Sequence, residues 1–283
     1  MNGLVFNALG AKIRGRSKLP EGRRVLVFSP HPDDDVISMG GILHKLTQNG
    51  NAIAVAYMTS GNIAVFDHDV RRYVDFLERL ARDRGIGKAD VPGFTAQVRE
   101  FLATKQPGTV DSDAIQDLKR ILREGEAVSA LETIGLGRAN ARFLNLPFYQ
   151  TGKVRKDPIG PADVAIVRVL LEEVRPQLVF VAGDLSDPHG THRMCKEAID
   201  RALSEMSGTP PEVWLYRGAW QEWPVTEATW LVPMSQEELK LKIQAIFKHQ
   251  SQKDSAPFPG AHDEREFWQR VEARNKETAE MLN

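Results

Sequence analysis

The sequence has very little cysteine, no long hydrophobic run and almost no net charge. A single cysteine in 283 residues excludes an intramolecular disulfide and a cysteine-rich metal site, and it favours a reducing compartment, so we expect a cytoplasmic protein. No apolar run approaches the ~18 to 20 residues that a membrane-spanning helix requires. A formal net charge of −1 provides no long-range field for nucleic acid or anionic lipid. We therefore expect neither nucleic acid nor a membrane as a partner.

Strand-like and helix-like segments alternate along the chain. Apolar runs rich in β-branched residues predict strands at 24–29, 51–58, 142–146, 177–183, 212–217 and 229–233. Helical periodicity predicts helices at 36–48, 67–85, 113–134, 161–174, 235–249 and 263–281. This alternation predicts an α/β fold, with a Rossmann-like, mostly parallel sheet and helices on both faces. Because there is no internal repeat and no low-complexity linker, we expect residues 1–283 to form one domain.

The alternation is interrupted at residues 63–112. A stripe of apolar side chains at helical spacing is followed there by a polar stretch rich in glycine and proline; the stripe comprises Val70, Tyr73, Val74, Leu77 and Leu80. About fifty residues are too many for a bare loop, so we expect a helical insertion. The stripe should face the core or a neighbouring subunit, and the insertion should act as a lid, a subunit contact or both. The sequence therefore leaves open whether the protein forms a homo-oligomer.

An acidic loop follows the first predicted strand. It reads Ser29-Pro-His-Pro-Asp-Asp-Asp35. In open parallel sheets the ligand site lies outside the carboxyl ends of the strands, so this is a position where chemistry is expected. Three adjacent carboxylates repel one another unless a cation or a basic group lies among them. On these residues alone, a metal site and a solvated turn that caps the next helix are equally supported.

A histidine pair follows the predicted strand at 177–183. His189 and His192 lie three positions apart, where this strand gives way to a helix. Two imidazoles and one carboxylate leave a zinc ion with an open fourth position, which is the arrangement of a catalytic site. An isolated pair at this spacing more commonly binds nearby backbone. Two clusters at equivalent strand ends favour a metal centre.

These residues resemble the PIG-L/LmbE-like family of zinc-dependent N-deacetylases. The tetrapeptide His31-Pro32-Asp33-Asp34 resembles the signature of the family, and the histidine pair matches as well. Three further elements occur in the right order: Thr59-Ser-Gly61, Arg123-Glu-Gly-Glu126-Ala-Val-Ser-Ala130 and Lys248-His-Gln-Ser-Gln252. The chain after Gly183 also looks like the deacetylase-like region fused to some bacterial glucosamine-6-phosphate deaminases.

The resemblance implies removal of an acetyl group from an N-acetylglucosamine-type amino sugar, with Zn²⁺ as the cofactor. It implies that His31, Asp34 and His192 hold the zinc. Asp33 would be the base, and His189 would stabilise the oxyanion and protonate the leaving amine. The guanidinium of Arg123 is a candidate for binding a sugar hydroxyl or phosphate. An ion pair between Arg123 and Glu126, one turn away, is an almost equal alternative.

Three departures from the family pattern keep other functions open. Asp35 stands where glutamate is usual, the insertion separates elements that lie close together in typical members, and Thr191 stands where an aspartate usually orients a histidine. Asp187 or Asp184 could take over that orienting role. Thr191 and the insertion favour a metal- or sugar-binding regulatory module without turnover as the alternative. A metal-dependent phosphoesterase or amidase is a third, because the ligands do not define the scissile bond.

Overall fold

Five parallel strands form the sheet in the computed structural model, which describes residues 2–282 apart from 88, 154, 188, 220 and 254–264. The strands are β1 (Arg24–Ser29), β2 (Ala52–Tyr57), β3 (Ala141–Phe143), β4 (Leu178–Ala182) and β5 (Glu212–Tyr216). Their order is β3-β2-β1-β4-β5, and every neighbouring pair is parallel. The predicted α/β fold is confirmed.

Nine α-helices lie in the described part of the chain. They are α1 (Asn2–Gly10), α2 (Asp34–Gln48), α3 (Asp67–Arg84), α4 (Val91–Thr104), α5 (Asp113–Thr133), α6 (Pro161–Val174), α7 (Thr191–Ser204), α8 (Gln236–Ile246) and α9 (Phe267–Glu280). Helices α2, α5, α8 and α9 contribute to the core on one face of the sheet, and α6 and α7 cover the other face. Burial on both faces explains why β1, β2 and β4 are almost entirely apolar. Among these helices, none combines the length and apolarity needed to cross a bilayer.

The strand order reverses between β1 and β4. Strands β2 and β3 lie on one side of β1, whereas β4 and β5 lie on the other. At such a point the loops after the two adjacent strands diverge and leave a crevice, which is the usual ligand position in open α/β sheets. The acidic loop follows β1 and the histidine pair follows β4. The topology therefore brings the two sequence clusters to one crevice.

The insertion contains two helices, α3 and α4. They pack against each other and against α5 around a separate apolar cluster: Val70, Val74, Val98, Leu102 and Ile115. The predicted stripe is buried at Val70 and Val74, but Tyr73 is 39% exposed. The sequence analysis did not predict α4, because Pro92 and Gly93 indicate a break. Pro92 stands in the first turn of the helix, where its missing N–H is not needed.

Three other segments differ from the sequence-based expectation. The prediction of a strand at 229–233 is wrong, since Leu231 makes only an isolated bridge with Ile13. The Trp230 ring lies 4.1 Å from that of Trp214 in β5, so packing against this strand explains the apolar pattern. The strand predicted at 142–146 ends early, before Asn145 takes a φ of 46° that a strand cannot continue through. The last predicted helix begins at Phe267; residues 263 and 264 lie outside the described residues.

Candidate metal centre

His31, Asp34 and His192 come together in the crevice between β1 and β4. His31 lies in the turn after β1, Asp34 begins α2 and His192 lies in the first turn of α7. One potential ligand atom from each lies within 4.8 Å of the others. Asp34 Oδ2 is 3.1 Å from His31 Nδ1 and 3.1 Å from His192 Nε2. Among the described residues, these three side chains form the one group with the spacing of metal ligands.

The donor set fits a zinc ion. Imidazole nitrogen and carboxylate oxygen bind zinc at about 2.0–2.2 Å, and the three ligand atoms are close enough to surround one ion. The backbone N–H of His31 donates to Asp34 Oδ2 at 2.9 Å, which fixes the carboxylate. Three protein ligands leave one coordination position for water or substrate, as catalytic zinc sites do.

The charges in this group stabilise one another. Burial by itself raises the pKa of Asp34, but His192 and His31 outweigh burial and lower this pKa well below its ordinary value. Burial lowers the pKa of His192, and Asp34 outweighs that effect and raises the pKa to about 9. The carboxylate therefore stays charged. A cation bound between the two residues would replace the proton that His192 holds there.

Two aspartates orient His192. Its Nδ1 donates to the backbone oxygen of Asp184 at 2.9 Å, and its backbone N–H donates to Asp187 Oδ1 at 3.3 Å. The first of these hydrogen bonds leaves Nε2 directed at Asp34. Thr191, which stands where the family usually has aspartate, is buried. The ring is thus oriented by the Asp184 carbonyl in place of a carboxylate.

Arg123 lies against the acidic loop and is 1% exposed. Its Nη2 donates to the backbone oxygen of Pro32 at 2.9 Å and to Asp33 Oδ2 at 3.0 Å. The ion pair between Arg123 and Glu126 is not formed. Glu126 instead accepts hydrogen bonds from Ser251. Arg123 therefore holds the predicted base, and its other two guanidinium nitrogens, Nε and Nη1, are buried without a partner among the described residues.

Gly61, the last residue of the Thr-Ser-Gly turn, is required by this arrangement. It has a φ of +62°, and a Cβ atom there would lie 2.9 Å from Arg123 Nε and 3.0 Å from Pro32 Cδ. A side chain at this position would be strained and would push the guanidinium away from the loop. The turn is thus part of the wall of the site.

His189 is not brought into the metal-ligand group. It lies in the turn before α7 and is exposed to solvent. Its role as an acid stays a prediction.

A histidine that the sequence analysis did not assign to the site, His249, lies close to Asp33. His249 is 4% exposed, and neither ring nitrogen has a hydrogen-bond partner among the described residues. Both residues line a small cavity of about 20 Å³. Burial lowers the pKa of His249 to about 4, so the ring is neutral at pH 7. The element at 248–252 in the family resemblance was the signal that could have identified it.

Comparison with known proteins identifies the family. Residues 26–203 match the sequence profile of the family described as PIG-L, GlcNAc-PI de-N-acetylase. The chain belongs to the PIG-L family. A glucosamine-6-phosphate deaminase-like protein of Bacteroides thetaiotaomicron is 47% identical over 276 residues, which cover 93% of this chain and 41% of that protein. The predicted family and the resemblance to such deaminase-like proteins are confirmed.

Two more distant proteins are also similar to this chain, one a deacetylase that is similar in sequence and one a protein that is similar in fold. The diacetylchitobiose deacetylase of Thermococcus kodakarensis is 28% identical over 125 residues, covering 37% of this chain and 46% of that protein. The chain thus spans less than half the length of the curated relatives it matches. The crystal structure of a conserved protein from Thermus thermophilus has a TM-score of 0.53 at 18% identity, and the similarity covers 92% of this chain and 88% of that one. At this identity the likeness shows the fold alone.

Proposed function

We propose that this PIG-L family chain is a zinc-dependent hydrolase that removes the acetyl group from an N-acetylglucosamine-type amino sugar. The observation that carries the proposal is the convergence of His31, Asp34 and His192 beside Asp33 in one crevice. The family description and the deacetylase among the relatives support the reaction. A cytoplasmic location, expected from the single cysteine, belongs to the same proposal.

The base and the ligands have separate roles in this mechanism. His31, Asp34 and His192 would hold the zinc, which when bound would polarise the acetamide carbonyl and lower the pKa of its bound water to about 7. Asp33 accepts the proton of the attacking water. Because Arg123 holds one oxygen of this carboxylate, the base keeps a fixed orientation towards the substrate.

Two histidines can serve the later part of the reaction. His249 is buried and neutral near Asp33, so one of its ring nitrogens can donate a hydrogen bond to the oxyanion that forms at the acetamide carbon. Protonation of the leaving amine is assigned to His189, as the family resemblance implies. His189 is exposed in the turn just before α7, the helix that bears His192.

Metal analysis tests the ligand set. Protein stripped with a chelator and refilled with zinc should bind one ion per chain, and His31→Ala should lose that ion because two ligands alone hold zinc weakly. His68→Ala, which removes an exposed histidine of the insertion, should bind zinc like the wild type. Equal zinc content in the wild type and His31→Ala would contradict the proposed site.

Kinetics tests the reaction. Asp33→Asn should keep its zinc while acetate release falls by about a hundredfold or more, the effect of losing a general base. Asp117→Asn, a change of an exposed carboxylate on α5, should have normal activity. If the zinc-loaded wild type releases acetate from a panel of acetylated amino sugars no faster than metal-free protein does, the chain is a binding module. Release of phosphate from sugar phosphates instead of acetate would indicate the phosphoesterase alternative.

A further inference from the structure

The chain that follows β5 packs against both elements that carry the proposed metal ligands. This β5 segment comprises residues 217–219 and 221–223, and it lies beyond the stretch that matches the PIG-L profile. Arg217 Nε donates to the backbone oxygen of Gly183 at 3.3 Å, and a Cβ atom at Gly183 would lie 2.8 Å from Trp223 Cζ2. The segment is therefore in close contact with the start of the loop between β4 and α7.

The same segment touches α2. Gly218 has a φ of +140°, and a Cβ atom there would lie 3.0 Å from the Cα atom of Ser38. Ser38 comes about one turn after Asp34, the proposed ligand at the start of α2. A glycine is required at this close approach, since a side chain would have to displace α2 or the segment. The β5 segment thus contacts both the helix that carries Asp34 and the loop that leads to His192.

Asp184 connects the β5 segment to His192. It is 2% exposed, and its Oδ2 accepts a hydrogen bond of 2.7 Å from the backbone N–H of Gln221. Its Oδ1 accepts hydrogen bonds from the backbone N–H and the hydroxyl of Ser186, at 3.2 and 2.6 Å. These bonds close a turn that fixes the direction of the Asp184 carbonyl, which accepts from His192 Nδ1. Thr191, which stands where the family usually has aspartate, is buried and its hydroxyl has no partner among the described residues, so it supplies no acceptor to the ring.

Helix α9 also holds the β5 segment. Nη1 and Nη2 of Arg274 both donate to the backbone oxygen of Ala219 at 3.2 Å, and Ala219 is buried. A hydrogen bond from a charged donor is stronger than a neutral one, so this carbonyl is firmly held. The next residue of α9, Asn275, accepts a hydrogen bond of 3.1 Å from the buried ammonium of Lys242 on α8. This part of α9 is therefore anchored to the main core.

We infer that Asp184 and Arg274 are positioning residues for the metal centre, and that α9 thereby sets the direction in which His192 offers Nε2 to the metal. The series of hydrogen bonds runs from Arg274 to the Ala219 carbonyl, then from the Gln221 N–H to Asp184, and from Asp184 to the imidazole. Loss of the partner that orients a metal-binding histidine typically weakens metal binding about 10–100-fold. This inference rests on the metal site of the proposed function and adds the C-terminal helix to it.

Zinc affinity and the spectrum of the cobalt-substituted protein test this series. Asp184→Ala should weaken zinc binding at least about tenfold in competition with a chelator of known affinity. It should also change the visible absorption of bound Co²⁺, because a turned imidazole alters the coordination geometry. Arg274→Met, one step more remote, should weaken zinc binding at least about threefold. Arg274→Lys keeps a charged donor for the Ala219 carbonyl and should bind zinc within about twofold of the wild type.

Two controls on α9 separate positioning from a general loss of stability. Val271→Ala removes buried apolar contacts of this helix, so it should lower the Tm but leave the zinc affinity and the Co²⁺ spectrum unchanged. Lys276→Met removes an exposed cation that pairs with Glu272 and should change none of these. The double variant Asp184→Ala/Arg274→Met should bind zinc within about twofold of Asp184→Ala alone, because both changes break one series.

NMR of metal-free protein labelled with ¹⁵N-histidine measures the orienting hydrogen bond itself. The Nδ1–H of His192 should exchange with solvent at least about threefold faster in Asp184→Ala and in Arg274→Met than in the wild type. Three results would overturn the inference: unchanged exchange in either variant, zinc binding weakened as much by Val271→Ala as by Arg274→Met, and effects that multiply in the double variant. A wild type that releases no acetate from acetylated amino sugars contradicts the proposed function instead, and the exchange rates still decide whether α9 positions His192.

Discussion

Arg123 is a single buried side chain that contacts both the predicted base and the backbone of the acidic loop. Its guanidinium contacts the Pro32 carbonyl and the Asp33 carboxylate, while both residues of the ion pair are shielded from solvent. A lysine would provide one point charge in place of this planar fork. The residue expected to bind substrate therefore also acts as a positioning residue for Asp33.

Replacing Arg123 should lower the free energy of unfolding. Arg123→Met leaves the buried Asp33 carboxylate without its partner, and breaking a buried pair in this way typically lowers the free energy of unfolding by about 3–5 kcal/mol. Urea denaturation of metal-free wild-type and variant protein measures the difference. Arg120→Met on the same helix removes a more exposed arginine that pairs with Asp117 and Glu124, so its effect should stay within about 1 kcal/mol. Equal stability of the two variants would argue against a buried pair that holds the loop.

Asp35 shows why one departure from the family pattern is tolerated. It is fully buried, accepts a hydrogen bond from the Tyr57 hydroxyl at 3.0 Å and contacts the Ser29 hydroxyl at 3.3 Å. Burial raises its pKa to about 7, with Asp33 and Asp34 adding to the effect. This carboxyl is thus occupied in anchoring the start of α2 to β1 and β2, and it is not one of the grouped ligands.

At the scale of elements, α5 connects the acidic loop to the segment that bears His249. Arg123 contacts the loop, and three positions later Glu126 accepts hydrogen bonds of 2.7 Å from both the backbone N–H and the hydroxyl of Ser251. Residues three apart lie on the same face of a helix. One face of α5 therefore fixes the predicted base relative to the segment that bears the buried histidine.

Glu126→Leu should loosen this connection. The change leaves two buried donors of Ser251 without an acceptor, which costs about 1–3 kcal/mol of unfolding free energy per group. We expect faster amide hydrogen exchange in residues 249–252 and slower acetate release, with zinc content unchanged because α5 carries no metal ligand. Glu132→Leu, an exposed change near the end of the same helix, is the control. Unchanged exchange at 249–252 would show that Glu126 does not anchor this segment.

At the scale of the whole molecule, the main sheet carries the three proposed metal ligands and the insertion carries none of them. His31 and Asp34 follow β1, His192 follows β4, and the insertion packs around its own apolar cluster on α5. The scaffold of the proposed metal site and the insertion are thus separable parts of the fold.

Deleting residues 66–110 with a short glycine linker tests this separation. Ile115, which loses its apolar cover, is replaced by serine in the same variant. We expect one zinc ion per chain, lower thermal stability and a change in substrate preference or oligomer size. Ile115→Ser in the full-length chain is the control for the point change. A variant that is folded by circular dichroism but binds no zinc would place a ligand inside the insertion, with His68 as the first suspect.

The sequence by itself determined the alternation of strands and helices and the strand ends at which chemistry should occur. These features are local, because apolar periodicity shows which face of an element is buried and parallel strands end at one edge of the sheet. That is why the fold class and the approach of the acidic loop to the histidine pair followed from pattern. The choice of His31, Asp34 and His192 within these clusters came from the family resemblance. The prediction of a strand at 229–233 was wrong because an apolar run does not reveal whether it pairs with the edge of a strand or packs against other side chains.

Only the tertiary structure decided which polar groups meet. Arg123 is 90 positions from Asp33, and Ser251 is 125 positions from Glu126, so nothing in the local pattern selects these partners over nearer ones. The orientation of His192 by the Asp184 carbonyl and the burial of His249 arise in the same way. Hydrogen bonds and ion pairs depend on distances of a few ångströms between separate elements, and only the packing of those elements sets such distances.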